Sequence, residues 1–578
     1  MKKLLALVLA LVMSMSLVTI SNAAFKDADK IDYKEAVDVM NAVGVFIGDE
    51  KGNFNAKENL TREQAAKIIA YLELGSKAAD ALVGGATFTD VASTRWSAGF
   101  VGYCAQAGVV AGYDGKFDPA GQLTALQFGK MLLVELGYDA KAAGMVGADW
   151  AINTSKLMAK AKLMDGIDGS VNQVLTREKA AQMCLNALEA PTVEYTTKGS
   201  SISVNGAEIN LGASEPSYVT NTIAKEQTIS SEKLTNNGGY TIELGEKLYK
   251  NLKKISTTDD FGRPATKWTW KSESVGTYAD AADLSYTKAV KAGDIYKDLN
   301  LSDTVAAKNV TVWVNGEQVS AASLDIKKGS ETKIGAKLYD AKNGTNGNGV
   351  LTEVFYDDVA DTMVITQIVT YIGEVAKTVK ATDKRDAYVV ITAKTGDNNA
   401  YTMPKDSKGI KASPLEFETD ETFADDTYVL YTYSFKAEAV KSLAAAEKVE
   451  GYVTKTINSA SDLDKNNGMT ISGTEYKMSL ATAGEALGNV SVKNDYTVYL
   501  DQYGYIIYVE QVQELGSYAL VLATANKGSF IGNKAQLLLT DGTVKFVDTD
   551  ENYASGTKKI PNNTIVTFRE NSDKTYTL

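Results

Sequence analysis

The chain contains no histidine and only two cysteines among its 578 residues. Without histidine, a Ser-His-Asp triad and a Cys-His nucleophile pair are excluded, and the few cysteines leave too few ligands for a zinc finger. Cys104 and Cys184 occupy positions that methionine, isoleucine or leucine fill in equivalent segments, so we expect small buried apolar side chains there. A disulfide between them stays open, because an oxidising compartment would permit one.

Positive charge is in deficit, with 60 Lys and Arg against 72 Asp and Glu and a formal net charge of −12. This balance argues against nucleic acid or an anionic membrane as a partner, and any anionic ligand must be bound locally. Long apolar runs are lacking after residue 23, so we expect no later membrane-spanning helix. The length and the 44% hydrophobic content predict three or more folded domains.

The N-terminus predicts a signal peptide over residues 1–23. Two lysines precede an apolar run over residues 4–18, and Ser21-Asn22-Ala23 supplies a small-residue cleavage site. A retained membrane anchor is the alternative, but no basic cluster follows the apolar run. We therefore expect an exported protein.

One short segment occurs three times, at residues 60–66, 123–127 and 175–181. Each copy has a Leu-Thr pair followed by apolar residues at helical spacing, which predicts a capped helix with one buried face. The predicted caps are Thr61, Thr124 and Thr176. Gln64 and Gln127 complete capping boxes, whereas Lys179 does not.

Each of these segments follows a glycine, Gly48, Gly112 or Gly166, and each glycine follows another apolar helical pattern. The unit is therefore a helix, a glycine-bearing loop and a capped helix. We place the three repeats at residues 24–75, 86–140 and 141–190. Because one helix pair cannot bury its apolar face alone, the repeats should pack on one another.

The combined motifs resemble the S-layer homology (SLH) domain over residues 25–190. The matching segments are 25–27 and 88–91 for an opening Phe-x-Asp, Trp96 for a Trp-Ala segment, 112–119 for a glycine loop, and the Thr-Arg-Glu runs at 61–63 and 176–178. The resemblance implies a three-repeat helical prism. It also implies attachment to a bacterial wall through a secondary cell-wall polysaccharide, which is often pyruvylated.

Arg62 and Arg177 should lie in the first turn of their helices, where free N–H groups and the helix dipole favour anions. With the resemblance, we expect them to bind a carboxylate of the polysaccharide in a two-pronged contact. The alternative is that each pairs with an Asp or Glu of a neighbouring repeat. Ala125 takes this position in the second repeat, so at most two complete grooves are expected.

The other candidate polysaccharide-binding residues are Trp96, Trp150, Asp27 and Asp90. The tryptophans would offer a flat apolar face to a sugar ring or else belong to the core. The acids, with Asp149 as a further candidate, would accept sugar hydroxyls or else cap their helices. Asp32 replaces tryptophan in the first repeat, and the third repeat lacks the opening phenylalanine.

After Pro191 the apolar pattern changes from a period of 3.6 to a period of 2, which predicts β-sandwiches or small barrels. Modules are placed at 198–345, 346–445 and 446–578, with a helical, charged seam at 437–450. Turn signals predict hairpins at 202–209, 312–319 and 537–546. Residues 354–369 and 498–509 are loosely similar and suggest related modules.

The β region shows no catalytic or metal-binding constellation. Trp268 and Trp270 would share one strand face, more typical of a core stripe than of a sugar platform. Residues 462–468 do not match a calcium loop, and we expect no cofactor, although calcium between β modules stays open. The sequence thus predicts a wall-anchored surface-layer protein that self-associates and has no enzymatic activity. A wall-anchored polysaccharide-degrading enzyme and an adhesin are the alternatives.

Overall fold

A computed structural model describes the parts of the chain on which all statements below rest. They are residues 25–84, 88–197, 200–204, 207–211, 213–221, 235–236, 239–288, 290–319, 328, 347–394, 405–406, 409–410, 415–419, 421–457, 467–484, 490–492, 494–511, 517–526, 532–571 and 573–578. The predicted signal peptide lies outside them. Within these ranges, no helix has the length and apolar character needed to cross a bilayer.

The described residues divide into two compact units. One runs to Thr257 and includes Ala265–Ala279, and the other contains Thr258–Pro264 and Asp280–Leu578. We call them the helical unit and the β unit. The fold class predicted from the sequence, an N-terminal three-repeat helical prism followed by mainly β modules, is confirmed.

The helical unit contains one pair of longer helices in each predicted repeat. Its helices are α1 Lys34–Ala42, α2 Arg62–Leu74, α3 Ser76–Asp80, α4 Ala98–Gln106, α5 Ala125–Glu135, α6 Trp150–Lys160, α7 Arg177–Glu189 and α8 Leu244–Leu248, with a 3₁₀ turn at Ala28–Lys30. The pairs α1–α2, α4–α5 and α6–α7 share one apolar core. The second helix of each pair begins directly after its cap residue.

A closed ring of backbone hydrogen bonds joins the three repeats. The N–H of Leu60 donates to the carbonyl of Leu175 at 2.8 Å, Leu175 donates to Leu123 at 2.9 Å, and Leu123 donates to Leu60 at 3.0 Å. These leucines are at most 1% exposed. Each lies one residue before a predicted cap threonine, so the ring fixes where all three capped helices begin. We call it the leucine ring.

Cys104 and Cys184 are fully buried free thiols in this core. Burial raises the pKa of both thiols above the ordinary value, with a further contribution from Glu135. The expectation of small buried apolar side chains is confirmed, and the two cysteines are not bridged.

Short strands complete the helical unit. They are β1 Val193–Glu194, β2 Ser200–Val204, β3 Ala207–Leu211, β4 Ser217–Tyr218, β5 Thr220–Asn221, β6 Thr235–Asn236, β7 Gly239–Thr241, β8 Leu252–Thr258, β9 Pro264–Trp270 and β10 Glu273–Ala279. In the sheet β10-β9-β8, Trp268 is fully buried and donates its Nε1–H to Glu35 at 2.6 Å. Trp270 packs edge-on against Tyr249. The core interpretation of both tryptophans is confirmed.

The β unit contains a nine-stranded sheet and two closed five-stranded barrels. Its strands are β11 Leu284–Tyr286, β12 Val310–Val314, β13 Glu317–Val319, β14 Val350–Asp357, β15 Thr362–Val379, β16 Tyr388–Ala393, β17 Lys405–Asp406, β18 Gly409–Ile410, β19 Leu415–Glu418, β20 Tyr428–Ser434, β21 Ala439–Ala445, β22 Glu447–Ile457, β23 Gly468–Ile471, β24 Thr474–Gly484, β25 Asp495–Leu500, β26 Ile506–Gln511, β27 Ser517–Asn526, β28 Asn533–Leu539, β29 Val544–Thr549, β30 Thr564–Glu570 and β31 Tyr576–Thr577. The helix α9, Ala292–Asp298, and a 3₁₀ turn at Ala307–Asn309 also belong to it. The last predicted module, 446–578, holds both barrels.

The three predicted hairpins are confirmed as antiparallel pairs: β2 with β3, β12 with β13, and β28 with β29. The turn of the second one has positive φ at both Asn315 and Gly316, as an Asn-Gly turn requires. The turn of the first, 205–206, lies outside the described residues.

The predicted helical seam at 437–450 is wrong. Residues 439–445 form β21, paired with β20, and residues 447–450 begin β22, paired with β25. Alanine-rich, charged sequence favours a helix locally, but partner strands on the same sheet outweigh that preference.

We predict that Leu123→Ala destabilises the helical unit by about 2–5 kcal/mol, because it removes a fully buried side chain at the leucine ring. Urea unfolding, followed by the loss of the circular dichroism signal at 222 nm, measures this change in the free energy of unfolding. Leu74→Ala, at a leucine that is 36% exposed, is the control and should change the midpoint little. Equal effects of the two substitutions would contradict the stabilising role given to the buried Leu123 side chain.

Candidate functional site

Arg62, the first residue of α2, reaches from the first repeat to the glycine loop of the second. Its Nε–H donates to the carbonyl of Phe117 at 2.8 Å and Nη2 donates to the carbonyl of Ala111 at 3.3 Å. The guanidinium carbon lies 4.7 Å from the centre of the Phe117 ring. The contact is therefore a two-pronged grip on backbone combined with a cation–π contact.

Arg177, the first residue of α7, repeats this arrangement between the third repeat and the first. Its Nε–H donates to the carbonyl of Phe54 at 3.0 Å and Nη2 donates to the carbonyl of Ile47 at 3.2 Å. The guanidinium carbon lies 5.1 Å from the Phe54 ring centre. Both arginines thus bind carbonyl oxygens of a neighbouring loop, and the alternative of pairing with a neighbouring Asp or Glu is not the arrangement found.

Both guanidinium groups are held in a partly desolvated position. Burial lowers the pKa of Arg62, opposed by Asp118 and Asp90, and burial lowers the pKa of Arg177, opposed by Glu58 and Asp27. A cation shielded from water and held by neutral carbonyls attracts an anion more strongly than one already paired with a carboxylate.

The third interface, between the second repeat and the third, keeps the backbone contact without the arginine. The N–H of Ala125 donates to Gln173 at 3.1 Å, as Arg62 donates to Gly121 and Arg177 to Glu58, both at 2.9 Å. Ala125 has no exposed surface. The arginine contact therefore exists at two of the three interfaces.

The opening acids hold their own glycine loops. Asp27 accepts from the N–H groups of Phe54 and Asn55 at 2.6 and 2.8 Å. Asp90 accepts from Phe117 and Asp118 at 2.8 and 2.7 Å. Burial opposes ionisation of Asp90, but these N–H groups outweigh it and lower its pKa.

The capping alternative is wrong for Asp27 and Asp149, because neither makes a side-chain cap hydrogen bond at the helix it precedes. The helix N-terminus and the loop compete for the same carboxylate. The carboxylates of Asp27 and Asp90 each bind two adjacent N–H groups of the loop instead.

The loop glycines differ between repeats in a way that follows the opening phenylalanine. A Cβ on Gly48 would lie 2.9 Å from the Phe25 ring, and one on Gly112 would lie 2.4 Å from the Phe88 ring. In the third repeat, which lacks that phenylalanine, Gly166 instead has a φ of +71°. Close approach requires glycine in the first two loops, and backbone conformation requires it in the third.

The predicted side-chain caps are confirmed at Thr61 and Thr124, and the prediction is wrong at Thr176. Thr61 and Thr124 form capping boxes with Gln64 and Gln127. Thr176 precedes α7 without a side-chain cap bond, and its buried Oγ1 has no hydrogen-bond partner.

The glutamates of the Thr-Arg-Glu runs were missed as site-building residues. Glu63 receives a two-pronged contact from Arg95, at 2.7 and 2.8 Å, and a hydrogen bond from the Ser97 hydroxyl. Glu178 accepts from the N–H of Asp32 at 2.9 Å and from Lys57. Each carboxylate thus anchors the start of the next repeat, and its recurrence directly after each arginine was the available signal.

A cleft of about 320 Å³ lies between the repeats at the Arg177 interface. Its walls come from all three repeats and include Ile47, Gly48, Glu58, Lys67, Trp96 and Arg177. Trp96 is 53% exposed, so part of its ring faces solvent. The structure therefore brings Arg177 and Trp96, two of the predicted site residues, to one cavity.

The remaining predicted site residues lie elsewhere. Arg62 and Asp90 belong to the neighbouring interface, and Asp27 lies behind the first loop. Trp150, at the start of α6, is half-buried with the ammonium of Lys130 5.9 Å from its ring centre. In the described part of the chain, no group of three acidic or cysteine side chains is arranged to hold a metal ion. Most of the 462–468 segment lies outside the described residues.

A family model for the S-layer homology domain matches residues 24–66 and 87–127. The chain is 29% identical over 219 residues to a "Surface layer protein" of Brevibacillus choshinensis, covering 36% of this chain and 19% of that protein. It is 28% identical over 204 residues to the "Middle cell wall protein" of Brevibacillus brevis, covering 34% and 19%. A third relative, the "Surface-layer 125 kDa protein" of Lysinibacillus sphaericus, is 25% identical over 371 residues, covering 60% and 30%.

The chain therefore spans between a fifth and a third of the length of these relatives. It contains S-layer homology repeats, as the motifs in the sequence predict. The family match and the names of the relatives indicate a location at the cell surface.

We predict that Glu63→Gln destabilises the helical unit by about 1–2 kcal/mol at pH 7. Burial opposes ionisation of Glu63, but hydrogen bonds from Arg95 and Ser97 outweigh it and lower its pKa below the ordinary value of 4.5. A lowered pKa stabilises the folded state above that value, and this stabilisation is lost as pH falls through the folded-state pKa. The difference from wild type should therefore shrink below about pH 4.5.

Urea unfolding across pH 3–8 measures this effect. Glu50→Gln, at an exposed glutamate of the first loop, is the matched control and should leave the free energy of unfolding unchanged across this pH range. A Glu63→Gln effect that stays constant down to pH 3 would show that the carboxylate charge is not what anchors the second repeat.

Proposed function

We propose that the helical unit anchors the protein to the bacterial cell wall by binding an acidic, pyruvylated secondary cell-wall polysaccharide, and that the β unit forms part of a surface layer. The observation that carries the proposal is the cleft in which Arg177 and the exposed ring of Trp96 lie together. This function consists of binding and assembly and requires no catalytic residue.

The chemistry of the cleft suits a sugar that carries a carboxylate. A guanidinium has five N–H donors, and the two loop carbonyls use two of them. The remaining donors can bind a pyruvyl carboxylate in a geometry fixed by the loop, so little side-chain freedom is lost on binding. Trp96 supplies the apolar surface on which a sugar ring can stack.

A second cation, Lys67, strengthens the preference for an anion. Its ammonium lies 4.9 Å from the centre of the Tyr71 ring, on the wall of the same cleft. The acidic residue Asp49 is occupied by its own loop, where hydrogen bonds first from the Asn53 backbone and then from Asn55 lower its pKa to about 2. Asp49 therefore stays ionised, and Asp49 and Glu58 on the cleft wall offset the formal charge of the two cations. An anion is bound here through directed hydrogen bonds from Arg177 and Lys67, not through a local excess of positive charge.

The other predicted residues take related parts in this proposal. Arg62 and its loop form a second, similar binding position, with Trp150 as a further aromatic candidate outside the main cleft. Asp27 and Asp90 act indirectly by holding the loops whose carbonyls position Arg177 and Arg62. The interface at Ala125 is not proposed to bind a carboxylate.

The surface-layer part of the proposal is supported by the three relatives, whose names refer to surface-layer or cell-wall proteins. Self-association of the exported chain into a surface lattice is the partner relationship we propose beside wall binding.

We predict that Arg177→Ala weakens binding of the mature chain to purified walls by about ten- to a hundredfold, because it removes a charged hydrogen-bond donor from the cleft. Arg177→Lys should recover part of the affinity, since it keeps the charge but loses the planar fork. Co-sedimentation with walls, with and without the secondary polymer, measures both. Arg385→Ala, at an exposed arginine of the β unit, is the matched control.

Chemical removal of the pyruvyl groups separates ligand recognition from loop support. Wild type should prefer the pyruvylated polymer, whereas Arg177→Ala should lose most of this preference and keep only the part that the Arg62 position supplies. Unchanged wild-type binding after the secondary polymer or its pyruvyl groups are removed would contradict the proposed ligand.

A further inference from the structure

The β unit contains a repeated module with a repeated mode of contact. We define the first module as residues 284–369, the second as 370–445, the third as 447–511 and the fourth as 517–577. The short pair β17–β18 of the second module forms a separate sheet and is left out of the strand count. In the last three modules, the first strand then pairs with the second and fourth strands, the second with the third, and the fourth with the fifth. Each first strand also has a bulge, after Val375, Val453 and Val521.

The hairpin that ends each later module contacts the module before it. In the second module, the N–H of Phe435 donates to Asn315 of the first module at 2.7 Å. In the third, Gln502 donates to Thr370 of the second module at 2.7 Å. In the fourth, Arg569 donates to Asn494 of the third module at 2.8 Å. The chain thus makes the same kind of contact three times: the last hairpin of a module lies on the module before it.

The contact between the second and third modules is apolar. Ile372, Leu430 and Tyr428 form the outer face of the second module, and the third module's hairpin covers them. The Tyr428 ring stacks on Tyr499 with centroids 4.2 Å apart and lies 5.1 Å from Tyr508. The apolar outer face of the second module is therefore a docking surface for a hairpin.

The fourth module presents a similar face, and among the described residues nothing covers it. The second and fourth modules can be aligned on the bulge of the first strand and on the residues paired across the strands. In this alignment, Ile372 corresponds to Tyr518 and Tyr428 to Ile565. Tyr518 is 61% exposed and Ile565 is 71% exposed. We call the surface that they share with their neighbours on the same side of the barrel the fourth-module face: Tyr518, Leu520, Leu538, Val544, Phe546 and Ile565.

Strand register makes this face continuous. Ile565 is opposite Leu520, Leu520 is opposite Leu538, and Leu538 is opposite Val544, so one apolar row crosses four strands. Phe546, 80% exposed, extends it on the next outward position of β29. Isolated exposed apolar residues are ordinary, but a continuous row of this kind indicates an interaction surface.

The first module supplies a hairpin whose turn is uncovered. β14 and β15 pair antiparallel, and β15 also pairs in parallel with β12, as β26 pairs in parallel with β24. The turn at its end, 358–361, is exposed, and Val359 at the turn is 93% exposed. Its conformation is fixed by Asp357, whose Oδ1 accepts from the N–H groups of Val359 and Ala360, both at 2.9 Å.

We propose that the fourth-module face receives the β14–β15 turn of a second copy of this chain, so that copies associate head to tail. The inference rests on the proposed surface-layer function and names the surfaces that would carry it. Because the two surfaces differ, the contact is heterologous and adds copies in a row rather than closing a dimer. The contact is small, so a single one should be weak and reversible, with a Kd in the range of about 1 µM to 1 mM.

Sedimentation velocity of the mature chain without walls tests this inference. Wild type should form a concentration-dependent series of oligomers. Ile565→Asp and Val359→Asp should each weaken association by at least about tenfold, because each buries a charge against an apolar surface. Val83→Asp is the matched control, since Val83 is 90% exposed in the helical unit, and it should associate like wild type.

Mixing the two variants gives the decisive result. The intact turn of the Ile565→Asp chain can bind the intact face of the Val359→Asp chain, so the mixture should form dimers and stop there. If Ile565→Asp alone abolishes association and mixing restores nothing, two faces meet each other and the head-to-tail inference is overturned. Association unaffected by either variant would overturn it as well.

The same preparations separate this inference from wall anchoring. A wild-type chain that stays monomeric at about 1 mM but pellets with purified walls would overturn the head-to-tail contact and leave the polysaccharide proposal standing. A chain that forms the predicted oligomers but fails to pellet with walls would contradict the polysaccharide proposal alone.

Discussion

Everything in the helical unit depends on the leucine ring, in which Leu60, Leu123 and Leu175 exchange three backbone hydrogen bonds. The ring fixes where three capped helices start, and therefore where the residue after each threonine points. Because the start of the helix is fixed, an arginine at that position is directed toward the loop of the next repeat. The candidate site is thus a consequence of the repeat geometry, since Arg62 and Arg177 each donate to the loop of another repeat.

Three consecutive residues have separate roles at two of the three interfaces. The threonine starts the helix, the arginine holds the next loop through its carbonyls, and the glutamate holds the beginning of the next repeat. In the second repeat both charged residues are replaced together, by Ala125 and Leu126, and that interface keeps the backbone contact without the arginine and glutamate contacts. Charges in this unit therefore serve two purposes. The glutamates bind groups within the fold, whereas the arginine donors that the loop carbonyls do not use are the ones we propose for the ligand.

The sequence was sufficient to predict what is local. Helical periodicity and threonine caps predicted the three helix pairs, and Asn-Gly and Asp-Gly turns predicted three hairpins. The sequence was insufficient where a partner far away along the chain determines the local structure. The strand at 439–445 depends on β20, and Asp27 binds a loop 27 residues away rather than capping a helix. Trp96 and Trp150 occupy equivalent sequence positions, yet only the burial of each ring showed which one faces a cleft.

The account of the site is tested most directly by hydrogen–deuterium exchange of the mature chain with and without the purified, pyruvylated polysaccharide. The polymer should slow exchange of the amides around Ile47, Gly48 and Trp96, which line the Arg177 cleft, and leave those of the third interface near Gln173 unchanged. Protection confined to the third interface or to the β unit, with the cleft amides unaffected, would contradict it.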